Sequence, residues 1–247
     1  MSTRLVALAL VFAFSCAGIS AGAAPPATSS KADQTAPIKQ IGVYVLPYYQ
    51  AAQKPEGRPS IAVAKAFDAQ LASNKQEDIL AVRDAIQTQP ERITPMTLMV
   101  LAIRLYDVGL RDEGVFWFYV AKDRYLTMAD VLNVKTPGLA QVEDAVRNFA
   151  VLSGPFFNSY AFCDMAKQKD ASLKAIDWVE QHPYAVIFME QLPALPGDRA
   201  GNLKKSLKGL RAYRQKELDR LADPKNLEEF NKARKEKHVN EQFCWSA

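Results

Sequence analysis

The chain has 247 residues, a formal net charge of +4, and 49% hydrophobic and 10% aromatic residues. That composition excludes an intrinsically disordered chain and allows one sizeable domain or two small ones. The charge is too small to imply a nucleic-acid partner, and past the first 14 residues no apolar run nears the roughly 20 needed to span a bilayer.

The first element is an export leader. Arg4 supplies a positive start, residues 5–14 form an apolar core, and Ala21-Gly22-Ala23 offers small residues for cleavage. The expected organisation is therefore a signal peptide over 1–23, a flexible Ala/Pro/Ser/Thr-rich leader over 24–37, a helical body over 38–192 and a C-terminal helical arm over 193–247. The mature chain is expected in the periplasm. Cys16 gives the alternative of a lipoprotein anchor, although Phe14 is bulky where lipoprotein leaders usually carry a small residue. Cys163 and Cys244 remain after cleavage, an even pair in an oxidising compartment, and are expected to form a disulfide that ties the arm to the body. In the chain-entropy account, closing a loop of that size contributes about 4–5 kcal/mol.

Ile41–Leu46 is β-branched and aromatic and reads as one short strand stopped by Pro47; residues 53–59 read as a loop. From residue 61 the pattern is helical. A first helix covers 61–71, and a second begins at Asn74, whose spacing to Glu77 is that of a capping box, and ends before Pro90. Thr94-Pro95 opens a third that runs to Gly109. A fourth is expected over 111–126, a fifth over 139–152 ending at Gly154-Pro155, a sixth over 157–168, and a seventh capped by Asp170 and ending at His182-Pro183. Pro193, Pro196 and Gly197 mark the clearest internal break. Beyond it lie a long amphipathic helix over 199–222 and a last one from Pro224 to about 237. The fold class is all-α: helical hairpins packed as a bundle or a short solenoid.

Within 95–128, two helices meet at Gly109 with almost no linker and must fold back on each other. Ala102, Gly114 and Ala121 are small where the helices approach; Leu98, Leu101, Leu105 and Phe118 fill the space between. This alternation resembles a tetratricopeptide or Sel1-like repeat, with Leu126 standing where that family often has proline. A looser second match covers 157–183, with Ala171, Ala175 and Trp178. The resemblance implies a groove offered to a protein or peptide. In its whole-chain character the sequence is also similar to periplasmic immunity proteins, which block a toxin delivered by neighbouring cells or escaping from the cell itself.

A search for chemistry returns absences: no Ser-x-x-Lys, Gly-x-Ser-x-Gly, His-Glu-x-x-His, phosphate loop or Cys-x-x-Cys. No catalytic residue, cofactor or metal is expected. His182 reads as a helix-end residue and His238 as a surface one. The candidate partner-binding residues are aromatic and basic. Phe116-Trp117-Phe118-Tyr119 places four rings in one turn, so either this helix is buried all round or some rings are exposed; Phe116, Trp117 and Tyr119 are the candidate anchors. Residues 199–216 carry seven Lys or Arg and no acid, which nominates Lys204, Lys205, Lys208, Arg211 and Arg214 for an acidic protein or, second, an anionic membrane surface. The reading is a non-enzymatic exported protein that binds and blocks a toxin. The alternatives are an envelope scaffold and, third, an enzyme of unrecognised type.

Overall fold

A computed structural model describes residues 65–244. The expected leader, Cys16, the strand at 41–46 and the loop at 53–59 lie outside these residues. The described residues are all-α: nine α-helices and three short 3₁₀ turns, with one isolated antiparallel bridge, Leu132 to Ala194, in place of any strand. In chain order the helices are α1 (Asp68–Leu71), α2 (Gln76–Thr88), α3 (Pro95–Asp107), α4 (Arg111–Val131), α5 (Pro137–Ala161), α6 (Met165–Gln181), α7 (Arg199–Ala222), α8 (Pro224–Glu236) and α9 (Val239–Phe243). None is long and apolar enough to cross a membrane.

The α3/α4 hairpin is the centre. Thr94 caps α3 by accepting the Thr97 amide at 3.0 Å, Pro95 opens it, and every residue from Pro95 to Asp107 is buried. Gly109 turns the chain at φ 94°, a left-handed conformation that costs glycine nothing. Gly114 then lets α4 lie directly on α3: a β-carbon there would sit 3.0 Å from the Ala102 carbonyl and 3.1 Å from the Tyr106 amide. Helix α4 packs on α3, α5, α6 and α7, so its run of four rings is mostly interior. Phe118 stacks on Phe157 at 4.5 Å, and Trp117 meets Trp178 edge-on at 5.3 Å.

Several expected boundaries fall elsewhere. Asn74 does not cap α2; its side chain accepts from Arg104 at 2.8 Å, and Lys75 takes the cap position without a side-chain bond. Helix α4 runs past 126 to Val131. Gly154-Pro155 does not end a helix, for α5 continues through it to Ala161. The bond Pro155 cannot donate is the one the Val151 carbonyl would accept, and Val151 is 47% exposed, so water reaches that side of the helix. The chain breaks at 162–164 instead, and Asp164, not Asp170, caps α6 by accepting the Ala166 and Lys167 amides at 3.0 Å each. Asp170 pairs with Lys174. Segment 157–183 thus holds the last turn of α5 followed by α6, and is not a second two-helix unit.

Two buried polar groups fix the outer helices. Arg124, fully buried in α4, donates to the carbonyls of Pro90 at 2.6 Å, Ile93 at 2.9 Å and His182 at 2.6 Å. Its guanidinium lies over Trp178 at 4.6 Å, and burial brings its pKa down to about 10, still well above neutrality. At the α4/α7 contact, Arg214 is 3% exposed, pairs with Glu217 at 2.5 Å and sits over the Tyr119 ring at 5.2 Å. Asp123 is beside them, 1% exposed, with one carboxylate oxygen unbonded. Burial raises its pKa although Lys122 and Arg214 pull it down.

Arg124→Met should lower the unfolding free energy by about 3 kcal/mol, because three carbonyls lose a charged donor; the urea midpoint should fall with m unchanged. Asp123→Asn should act oppositely at neutral pH. A carboxyl whose folded pKa is raised favours the fold at acid pH and loses that contribution as pH rises through its titration. Urea unfolding at pH 7 should show Asp123→Asn more stable than the parent, with the gap shrinking as pH falls through the raised titration of Asp123 and closed once pH is below the ordinary carboxylate value.

Candidate binding surface

Helix α7 presents the basic candidates. Asp198 caps it by accepting the Gly201 amide at 2.7 Å, which starts the helix immediately after the Pro/Gly break. That break is no free linker. Asn133 donates to the Pro193 carbonyl and Leu195 to the Val131 carbonyl, both at 2.9 Å, and Arg199 donates to the carbonyls of Ile187 and Leu192 at 2.6 Å each. Leu203, Ser206 and Leu207 are buried, and Ser206 donates to Asp130 at 2.6 Å. The expected C-terminal arm is therefore an outer layer of the same body.

Between α6 and α7 runs a groove of about 490 Å³, with Ala200, Leu203 and Leu207 along it and Glu180, Lys204, Lys208 and Arg211 at its sides. Arg211 is neutralised by Asp177 at 2.9 Å and by Glu180, whose hydrogen bond raises the guanidinium pKa. Lys204, Lys205 and Lys208 are exposed, and no carboxylate among the described residues pairs with them. The exposed apolar pair Phe188 (43%) and Met189 (49%) stands on the turn that Arg199 fixes to the start of α7.

The eight candidates thus separate. Lys204, Lys205 and Lys208 form one exposed basic edge, with Arg211 beside it but already paired. Arg214 neither reaches water nor awaits a partner, since it is buried against Tyr119 and Glu217. Trp117 and Tyr119 are 1% exposed and cannot be docking anchors, because the central position of α4 turns both into the core. Phe116 is half-buried and lines a different cavity.

That cavity, about 740 Å³, lies where the N-terminal turns of α4 and α6 meet the end of α5 and Cys244. Cys163 and Cys244 line it, and they are joined in the expected disulfide. Tyr160 donates to Asp112 at 2.9 Å and Lys167 pairs with the same carboxylate at 2.8 Å. Burial alone would raise Asp112, but these two bonds outweigh it and leave its pKa below the usual value. Sequence reasoning missed this cluster, since nothing in the local pattern links residues 112, 160 and 167. Of the histidines, His182 ends α6 with its ring against Trp178, and His238 is exposed at φ 52° before α9.

No family model matches the sequence, and no solved structure matches it. One relative is found in Haemophilus influenzae, an uncharacterized protein 39% identical over 210 residues, covering 85% of this chain and 80% of that protein. At that identity and coverage the chain belongs to the same family as the Haemophilus influenzae protein.

Proposed function

We propose that this is an exported, non-enzymatic binding protein whose α6/α7 groove and basic edge dock an acidic protein. The observation that carries this reading is the row Lys204, Lys205 and Lys208: three exposed cations without an anion among the described residues, beside an apolar groove on a helix held by Arg199, Ser206 and Arg214. Neighbouring Arg211 is already neutralised by Asp177 and Glu180, so the excess charge is confined to the lysines. Apolar contact would supply the burial and the lysines the steering and register. A secreted toxin held inactive in the periplasm is the partner class that the sequence resemblance suggests. In that case the protein acts by covering the toxin's working surface, and the gene beside its own is the first place to seek the partner.

The test is co-purification with the product of the adjacent gene. The parent should retain it at low salt and release it as ionic strength rises, because exposed charges are screened beyond about 8–10 Å. The triple variant Lys204→Glu, Lys205→Glu, Lys208→Glu should keep the parental melting temperature and slow association by about tenfold or more. Retention that is indifferent to both salt and charge reversal would rule out the basic edge. Equal binding of the parent to vesicles of anionic lipid, with no protein retained, would favour a membrane surface instead.

A further inference from the structure

Among the described residues Arg234 is a buried cation with no anion. It is 8% exposed, and its guanidinium donates to the Ser159 carbonyl at 3.1 Å and to Asn240 Oδ1 at 3.0 Å, while Nη2 lies 3.2 Å from Cys244 Sγ and 3.6 Å from Cys163 Sγ. Among the described residues no carboxylate pairs with it, and burial alone lowers its pKa. The nearby charges on the cavity wall are engaged elsewhere: Lys167 with Asp112, Lys174 with Asp170, and Asp164 with the amides that start α6. A buried unpaired charge is costly. Here the missing anion is one the site can make, because opening the disulfide leaves a thiolate against the guanidinium. Both cysteines are exposed, and both line the 740 Å³ cavity, so a nucleophile has an approach.

We propose that Cys163–Cys244 is a thiol-exchange site, opened by a dithiol reductant, with Arg234 receiving the departing Cys244 thiolate. The reductant's thiolate attacks Cys163 Sγ; a mixed disulfide forms, the Cys163–Cys244 bond breaks, and its electron pair leaves on Cys244 Sγ. The reductant's second thiol, as thiolate, attacks its own sulfur in the mixed disulfide and releases Cys163. The dithiol is oxidised to a disulfide, the protein bond is reduced to two thiols, and the two protons the dithiol gives up balance the two sulfurs freed. Phe230 against Phe162 at 5.1 Å and Phe243 against Phe156 at 6.1 Å hold the terminal helices in place, so the thiols stay adjacent and the same two exchange steps run in reverse when the oxidised dithiol, a disulfide, takes the two electrons and two protons back.

Two measurements on the full chain test this. With the disulfide intact, opening by dithiothreitol should be about tenfold slower in Arg234→Gln than in the parent, and near parental in Arg234→Lys, because exchange is faster when the leaving thiol has a lower pKa. In Cys163→Ser, the pH profile of iodoacetamide alkylation should place Cys244 below the ordinary thiol value of about 8.5, and adding Arg234→Gln should restore it. Circular dichroism should show the variants folded. Equal opening rates in the parent and Arg234→Gln would overturn the proposal. So would a Cys244 that titrates at or above the ordinary value in folded Cys163→Ser. The rate comparison decides even where the serine variant loosens the tail.

Discussion

Arg124 is the constraint around which the rest is arranged. A fully buried guanidinium must have its donors satisfied, and this one is met by backbone carbonyls from three places: the 3₁₀ turn after α2, the residue before the α3 cap and the end of α6. Pro90 and Ile93 belong to one connection and His182 to another far along the chain, so the bonds are also a set of distances that fix two connections to the central helix. Trp178 and Tyr184 enclose the cation from their ring faces, at 4.6 and 5.6 Å. The aromatic walls favour a charge to which no carboxylate among the described residues is bonded, Glu91 acting on it only through its field.

From that centre the outer layer follows. Trp178 holds α6 to α4, Arg214 and Ser206 hold α7 to α4, and the groove is the space the two outer helices leave between them. The long basic helix therefore divides by depth. Arg199 and Arg214 are structural, Arg211 is balanced by α6, and the lysines are left for solvent or for a partner. Seven positive charges in the sequence resolve into a much smaller free set once neighbours are assigned.

Much of the architecture was legible because it is local. The Thr94-Pro95 start, the Gly109 turn, the break at Gly197 before the long helix and the apolar spacing along α3 each depend on a few adjacent residues. The cysteine pairing was legible from the even count and the expected compartment. What failed was settled by tertiary contact. Asn74 was claimed by Arg104 rather than by its own helix. Four consecutive rings on α4 could be read as anchors only while its neighbours were unknown, and with α3, α5, α6 and α7 around it Trp117 and Tyr119 are core. Arg214 was read as a docking cation because Glu217 and Tyr119 were not yet beside it. The Asp112, Tyr160 and Lys167 cluster had no sequence signal, since three separate helices contribute one residue each.

Pro155 gives α5 an uneven character along its length. The helix is continuous in shape, but its hydrogen-bond ladder lacks a rung where Val151 and Leu152 face water. Amide protons around that gap should trade with solvent through small local openings while those downstream remain protected, because Phe157 is fully buried and stacked on Phe118. The turn leading to Cys163 is thereby insulated from breathing in the turns before it, and the covalent tie of the terminal helices is seated on the quieter end of the rod.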